Sequence, residues 1–467
     1  MCNSIGVNQC AILCQLKFET NKMHTMYSLR SLGKRIVLPL SMIMFSIVAC
    51  NKNNDYKQPL PQIVDNNIKD GKDTITIGGS LLLYPKLSDR TTTSYSWTVN
   101  GTQAGADSTF SFKPNAAGKY LINFTASNTT GQASANYQIY VLGKYENGIL
   151  IVNEGWFGHE NGGVNFYRYG SDTIEQNVYA KENPGKQLGT TTEFGAVFNG
   201  RLYLVSKQGP FVITDSKSLL EVGRIESLPA NGRAFLGVDS ANGLITTQSG
   251  IYPLNLQTLA IGTKLSSVSG QVGNIIMQGN YIFALSQTDG VVVLNKSDYS
   301  VAKKIAGLTE GFTTSNDGSV WVAGGTSLVK INPSTLDTTK VTLPFSAANT
   351  WGAWTSGSLT FSATENAIFI AKEKSWGSSG TSFYKYVIGN AASLQNPFAT
   401  LPTGKELYGC ATRYNALTNQ VVVTSVQSGY GQNYKYNSLY FYNASTGNLD
   451  KTVSYEYFYF PGLMLFN

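Results

Sequence analysis

The stretch Asn199-Gly200-Arg201-Leu202-Tyr203-Leu204-Val205-Ser206-Lys207-Gln208-Gly209-Pro210-Phe211-Val212-Ile213 reads as a tight turn, a strand, a short turn and a second strand. The same order recurs down the chain. Turns stand at Asn242-Gly243, Gly279-Asn280, Asp317-Gly318, Glu365-Asn366 and Thr418-Asn419, 37 to 53 residues apart. Each is followed by β-rich runs such as Tyr281 to Leu285 and Val291 to Leu294, or Val421-Val422-Val423 and Leu439 to Tyr442. Four-stranded propeller blades repeat about every 40–45 residues, so the pattern is that of blades. Trp-Asp dipeptides are absent, which excludes a WD-repeat protein.

Before the first complete unit, Gly148 to Asn153 and Val164 to Tyr167 match a second and a third strand. Their missing inner strand is available at the other end, Gly462 to Phe466. The expectation is therefore a seven-bladed β-propeller over 145–467, closed by its C-terminal strand. Closure would pair the edge groups that an open array leaves exposed. The inner strands are expected at Phe194–Phe198, Ala234–Val238, Ile275–Met277, Phe312–Ser315, Leu359–Ala363, Ala411–Tyr414 and this last one.

Composition agrees with an all-β chain. Of 467 residues, 12% are aromatic and only 13% charged, with 47 Gly; strands take aromatics and turns take glycine. The net charge is +7. Residues 1–49 carry Lys17, Lys22, Arg30, Lys34 and Arg35 against Glu19, so much of the excess lies there. No basic run marks a phosphate-binding stripe, which argues against nucleic acid.

Arg30, Lys34 and Arg35 precede the apolar run Ile36 to Ala49, too short to span a bilayer. The run ends in Ile47-Val48-Ala49-Cys50, which resembles a lipobox. The resemblance implies cleavage before Cys50 and lipid attachment to it, hence an outer-membrane, lipid-anchored protein at the cell surface. Translation from Met23 or Met26 would give a leader of ordinary length and omit Cys2, Cys10 and Cys14. The expected division is 1–49 leader and signal peptide, 50–67 lipidated Cys and tether, 68–143 β-sandwich, 145–467 propeller.

Within the sandwich, Tyr95-Ser96-Trp97-Thr98-Val99-Asn100-Gly101 and Ala117-Gly118-Lys119-Tyr120 resemble the PKD domain, an immunoglobulin-like sandwich. There Trp97 would lie in the core between two sheets.

The chemistry of the chain is narrow. It has two His, His24 and His159, and no CxxC, HExxH, GxSxG or GxxxxGK[ST] motif. No catalytic residue, metal or cofactor is expected. Glu154, Glu160, Glu193, Glu310, Glu373 and Glu406 fall in expected connections; two carboxylates suffice for acid/base work, but these read as solvated loop charges or as hydrogen-bonded to backbone. Long loops point elsewhere. They are Asn153–Gly162, Lys372–Thr381 and Gln427–Asn437, in blades that a closed ring makes neighbours. With the blade-to-blade loops they gather Trp156, Phe157, Trp351, Trp354, Trp376, Tyr408, Tyr430, Tyr434 and Tyr457. Trp321 stands apart, within a strand. Aromatics among Asn, Gln, Ser and Gly suit a neutral, flat ligand, its face on the rings and its rim on the amides.

Gly148-Ile149-Leu150-Ile151-Val152-Asn153-Glu154-Gly155 and Tyr440-Phe441-Tyr442-Asn443-Ala444-Ser445-Thr446-Gly447 resemble YncE-like propellers of bacterial surface lipoproteins. One branch, the BtuG type, captures cobalamin for a TonB-dependent outer-membrane transporter. The resemblance implies a non-enzymatic capture protein with a corrinoid as one ligand and such a transporter as partner. The PKD-like domain is a departure from that branch. A glycan-binding or adhesion protein and a propeller lyase or hydrolase are the alternatives.

Overall fold

The computed structural model describes residues 57–88, 91–92, 94–348, 356–375 and 378–467. The leader, Cys50, Trp351, Trp354 and Trp376 lie outside the described residues. No helix among the described residues is long and apolar enough to cross a membrane.

The first part is the sandwich. Five strands lie side by side in the order Lys72–Thr76, Gly131–Leu142, Gly118–Asn128, Ser94–Val99, Thr102–Gly105. Leu81–Leu83 pairs with Phe110–Phe112 beside them. Ile122, Phe124 and Ala126 are buried at alternate positions, as are Ala135, Tyr137, Ile139 and Val141 on the neighbouring strand. That period of two gives one face to the core. Trp97 is fully buried on that face, its ring 4.6 Å from Phe124 and 5.4 Å from Phe110. Its Nε1 donates to Asp107 O at 2.8 Å, which satisfies the one polar atom of the indole.

From Gly148 to Phe466 the described residues form seven successive sheets, five of four strands and two of three. The array is propeller-like. Numbered along the chain, sheet one joins Gly163–Arg168, Gly148–Asn153 and Pro461–Phe466. Sheets two to seven begin at Thr190–Phe198, Gly232–Gly237, Val272–Gln278, Glu310–Thr314, Thr360–Ser362 and Lys405–Asn415. Each of these inner strands overlaps one expected from the sequence.

The last strand closes the first sheet. Leu150 lies opposite Leu465, Ile151 opposite Met464 and Val152 opposite Leu463. The backbones of Asn467 and Gly148 exchange hydrogen bonds of 2.9 and 3.0 Å. Second strands are continuous apolar runs, and Leu202 to Val205 and Ile282 to Leu285 are buried on both faces. Rings bridge neighbouring sheets: Tyr203 stacks on Phe235 at 4.1 Å, and Tyr167 meets Phe441 at 5.0 Å.

A repeated turn ends the third strands. The side chains of Asp215, Asn255, Asn332 and Asn443 accept from backbone N–H groups two and three residues on. The residue four on turns left-handed and donates back to the first carbonyl: Leu219 (φ 60°), Leu259 (59°), Leu336 (60°) and Gly447 (78°). Burial compensates the left-handed cost for Leu219, which has no exposed surface.

The structure departs from expectation in three places. Lys372–Thr381 is not an open loop: Ala367–Ser375 and Ser378–Val387 pair nearly to their ends, with Glu373 opposite Ser379. Tyr408 belongs to a strand, Lys405–Asn415, not to a blade-to-blade loop. Sheet one lacks a fourth strand. The chain beyond Arg168 makes one bridge, Phe166 to Glu175, then the short helix Val178–Glu182.

Candidate functional site

The inner strands break register near their starts. Irregularities fall between Thr192 and Phe194, Gly232 and Ala234, Val272 and Ile275, Glu310 and Thr313, and Leu407 and Thr412. A bulge re-aims the side chain at the extra residue. Glu193, Arg233 and Asn274 each occupy such a position, and each turns toward the hub where inner strands face one another.

Arg233 Nη1 donates to Glu193 Oε1 at 3.0 Å, and its Nη2 to Gln271 Oε1 at 2.9 Å. Asn274 Nδ2 donates to Ser356 O at 3.1 Å, from sheet four to the entry of sheet six. Glu310 accepts from the backbone N–H of Ser358 and, at 2.8 Å, from its hydroxyl. Arg413 Nη1 donates to Gly357 O at 2.8 Å. Glu193 and Glu310 are therefore buried hub residues rather than solvated loop charges, and Glu310 takes the backbone hydrogen bond that was the other expectation. Burial drives the Glu193 carboxyl up, against the pull of Arg233, and takes Glu310 to about 7, against Ser358.

Pairing of the first and last segments continues past their strands. Glu154 N donates to Phe460 O at 2.9 Å and Gly155 N to Tyr459 O at 3.0 Å. This extension carries Glu154 to the hub, where Tyr408 Oη donates to its Oε2 at 3.1 Å. Burial pushes the Glu154 carboxyl up to about 7, opposed by Tyr408 and by the Lys207 charge. The Tyr408 hydroxyl is itself driven upward by burial and by Glu154. Cys410, one turn of chain away, is buried and its thiol is raised by the same desolvation.

Two aromatic arms flank Glu154. In one, Tyr408 meets Phe460 at 5.5 Å, Phe460 meets Tyr434 at 5.4 Å, and Tyr434 meets Tyr430 at 5.9 Å. In the other, Trp156 lies 4.6 Å from Phe458 and 4.3 Å from His159, with Tyr457 6.3 Å from Phe458. Tyr430 is 75% exposed and Tyr457 48%, so each arm ends in a ring open to solvent. Phe157 stands apart beneath Lys207, whose Nζ is 4.6 Å from its centroid.

The structure thus places Tyr408 on Glu154, links Tyr434 and Tyr430 to it through Phe460, and groups Trp156 with Tyr457 through Phe458. Sequence reasoning placed Phe458 in the connecting run Tyr455 to Tyr459 but named neither it, Phe460 nor Arg233 as a site residue, and it did not foresee the burial of Glu154 and Glu193. One signal could have found the hub residues. A polar residue directly precedes the apolar run of several inner strands, as in Thr192-Glu193-Phe194, Gly232-Arg233-Ala234 and Gly273-Asn274-Ile275. Chemically, the arrangement offers ring faces and, at Glu154, a hydrogen-bond acceptor that also carries a proton near neutral pH. Among the described residues no group of His, Cys, Asp and Glu is placed to hold a metal ion.

Fold and site define an all-β protein in which a sandwich precedes a propeller-like array with an aromatic, carboxylate-centred hub. The chain belongs to the family described as domain of unknown function DUF5074, whose model matches residues 147–467. A PKD domain model matches residues 74–141. The comparison with curated proteins finds no match. Among solved structures, the chain resembles a quinonprotein alcohol dehydrogenase-like protein from Bacteroides thetaiotaomicron. They share 21% identity over 87% of this chain and 99% of that one, with a TM-score of 0.58. A dihydro-heme d1 dehydrogenase, NirN, in complex with DHE is more distant: 10% identity, 69% and 76% coverage, TM-score 0.44. The first likeness is one of fold.

Proposed function

We propose that this protein is a non-enzymatic lipoprotein of the outer-membrane surface. It captures a ligand at the hub of its propeller and passes it to a TonB-dependent transporter. The observation that carries the reading is the pair of aromatic arms converging on Glu154. Rings on two sides take a flat, largely apolar face, and the Glu154 carboxyl oxygens accept amide hydrogens. A corrinoid such as cobalamin, a macrocycle rimmed by amides, fits that chemistry. The lipobox-like Ile47-Val48-Ala49-Cys50 supplies the anchor.

Calorimetry with cobalamin tests the ligand. Binding is expected in the full chain, and loss of about tenfold or more in affinity when Tyr408 and Trp156 are replaced by Ala. The triple variant of Trp351, Trp354 and Trp376 to Ala is expected to weaken capture while the fold survives. Absence of cobalamin binding, or unchanged affinity in these variants, overturns the assignment. Palmitate labelling of the wild type but not of Cys50→Ser tests the anchor.

A further inference from the structure

Two clefts lie on the outer side of sheets one and two. One, of about 360 Å³, is bounded by His159, Asn161, Asn177, Gln187 and Tyr457. The other, of about 680 Å³, runs past Asn161, Gln187, Pro210, Arg224 and Glu226. They share Asn161, Lys186, Gln187 and Leu188 as a common wall. Where they meet, Asn161 Nδ2 donates to Gln187 Oε1 at 2.8 Å. Together they are one bent groove.

The groove exists because sheet one has no fourth strand. The segment from Tyr169 to Gly189 takes that strand's place with one bridge and a five-residue helix. A connection of this length without a strand of its own usually carries function. Its wall is stiff. Glu221, 5% exposed, accepts from Tyr179 Oη at 2.5 Å, Arg224 Nη2 at 2.8 Å and Lys186 Nζ at 2.9 Å. Arg224 also donates to Gln187 O at 3.1 Å. A wall already ordered costs little to order on binding.

Most of its charges are paired. Lys186 and Arg224 are matched by Glu221 and Glu226, Arg224 lying 3.8 Å from Glu226, which leaves Glu160 beside Tyr457. The amides of Asn161 and Gln187 offer donors and acceptors together. At one end stands Tyr457, half-exposed, at φ 146°, a backbone conformation that L-residues rarely hold. Its hydroxyl is tied to Glu160. Strain kept at an exposed aromatic ring marks a place where the ring's position matters.

We propose that this groove binds a neutral oligosaccharide, with the Tyr457 ring under the C–H face of one sugar and the amides of Asn161 and Gln187 on the hydroxyls of the next. An open, polar trough with its cations already paired and an aromatic platform at one end suits a chain of polyols better than an anion or a compact apolar molecule. The site is distinct from the carboxylate-centred hub, and Tyr457 and His159 border both.

The test is calorimetry of the full chain against defined fragments of xylan, β-glucan, mannan and galactan. At least one class is expected to bind, and about tenfold more weakly to Asn161→Ala/Gln187→Ala and to Tyr457→Ala. Melting temperature checks the fold; Gln187→Ala alone, an exposed change, serves if the double variant melts early. No binding by the wild type, or equal binding by the variants, overturns the proposal. Cobalamin titrated into the Asn161→Ala/Gln187→Ala variant reads the hub separately: its affinity there should match the wild type, whichever way the glycan result falls.

Discussion

Arg233 Nη1 lies 3.0 Å from Glu193 Oε1, with the two side chains 0% and 3% exposed, so the closest pair of charges at the hub is shut away from water. Two adjacent sheets are joined through it. Removing one partner leaves the other charge buried alone. Glu193→Gln or Arg233→Met is therefore expected to destabilise by about 3–5 kcal/mol. Replacing both with apolar residues should restore most of that loss, because no lone charge remains. Urea denaturation of the singles and the double provides the comparison. Singles no worse than the double would show that the pairing carries no structural weight.

Stability should fall as pH rises across the neutral range. Glu154 and Glu310 are raised in the folded chain to about 7 from an ordinary value of 4.5. Between those values the folded chain holds protons that the unfolded chain has lost, so unfolding gains ground as pH climbs. Glu221 and Glu365, each held down at about 2 by their hydrogen-bonded cations and hydroxyls, act the other way. Their contribution is lost as pH drops below 4.5. A melting-temperature profile is expected to peak near pH 5, by that linkage. Glu154→Gln with Glu310→Gln should flatten the slope above the peak and leave the acid limb in place. A melting temperature that climbs from pH 5 to 8 would falsify this account.

Deleting Pro461 to Asn467 should unfold the array cooperatively. The segment supplies the inner strand of sheet one, and Leu463 and Met464 are buried against both neighbours. Its loss opens two strand edges and empties part of the core, a cost of several kcal/mol on the scale of about 2–5 per large buried side chain. Circular dichroism during heating should show a transition lowered by ten degrees or more, on the order expected for such a loss. An unchanged transition would dismiss the closure as decorative.

At Gly409, sheet seven passes close to the last strand of sheet one. It sits at φ 61°, and a Cβ there would stand 2.4 Å from Gly462 O. Gly409→Ala is expected to push Tyr408 away from Glu154, because neither backbone can yield without breaking the Glu154–Phe460 pairing. Ligand capture and melting temperature should fall together. If only one of them moves, the bulge that holds Tyr408 is independent of closure.

Most of the architecture was legible in the chain because strand burial repeats. Leu202 to Val205 and Ile282 to Leu285 are apolar at every position, and Asn199-Gly200 and Asp317-Gly318 punctuate them. Trp97 could be placed in its core for the same reason, alternation on either side of it. The candidate site was legible only in part. Tyr408, Tyr434 and Trp156 stood out as aromatics in or near connections, but Phe458 and Phe460, which join them, look like any other strand-end residues. Glu154 and Glu193 looked like loop charges, because one-residue bulges leave no periodic trace.

The sequence by itself determined the all-β class, the repeating units, the sandwich before them and the return of the last strand to the first, since each follows from local pattern and from the need to satisfy strand edges. Only the tertiary structure decided what meets at the hub. Glu154 and Tyr408 are far apart in the chain, and Glu193 and Arg233 belong to different sheets. Their meeting depends on closure and on where each bulge turns a side chain inward. Desolvation at that meeting point sets their charge, and no property of the isolated residues contains it.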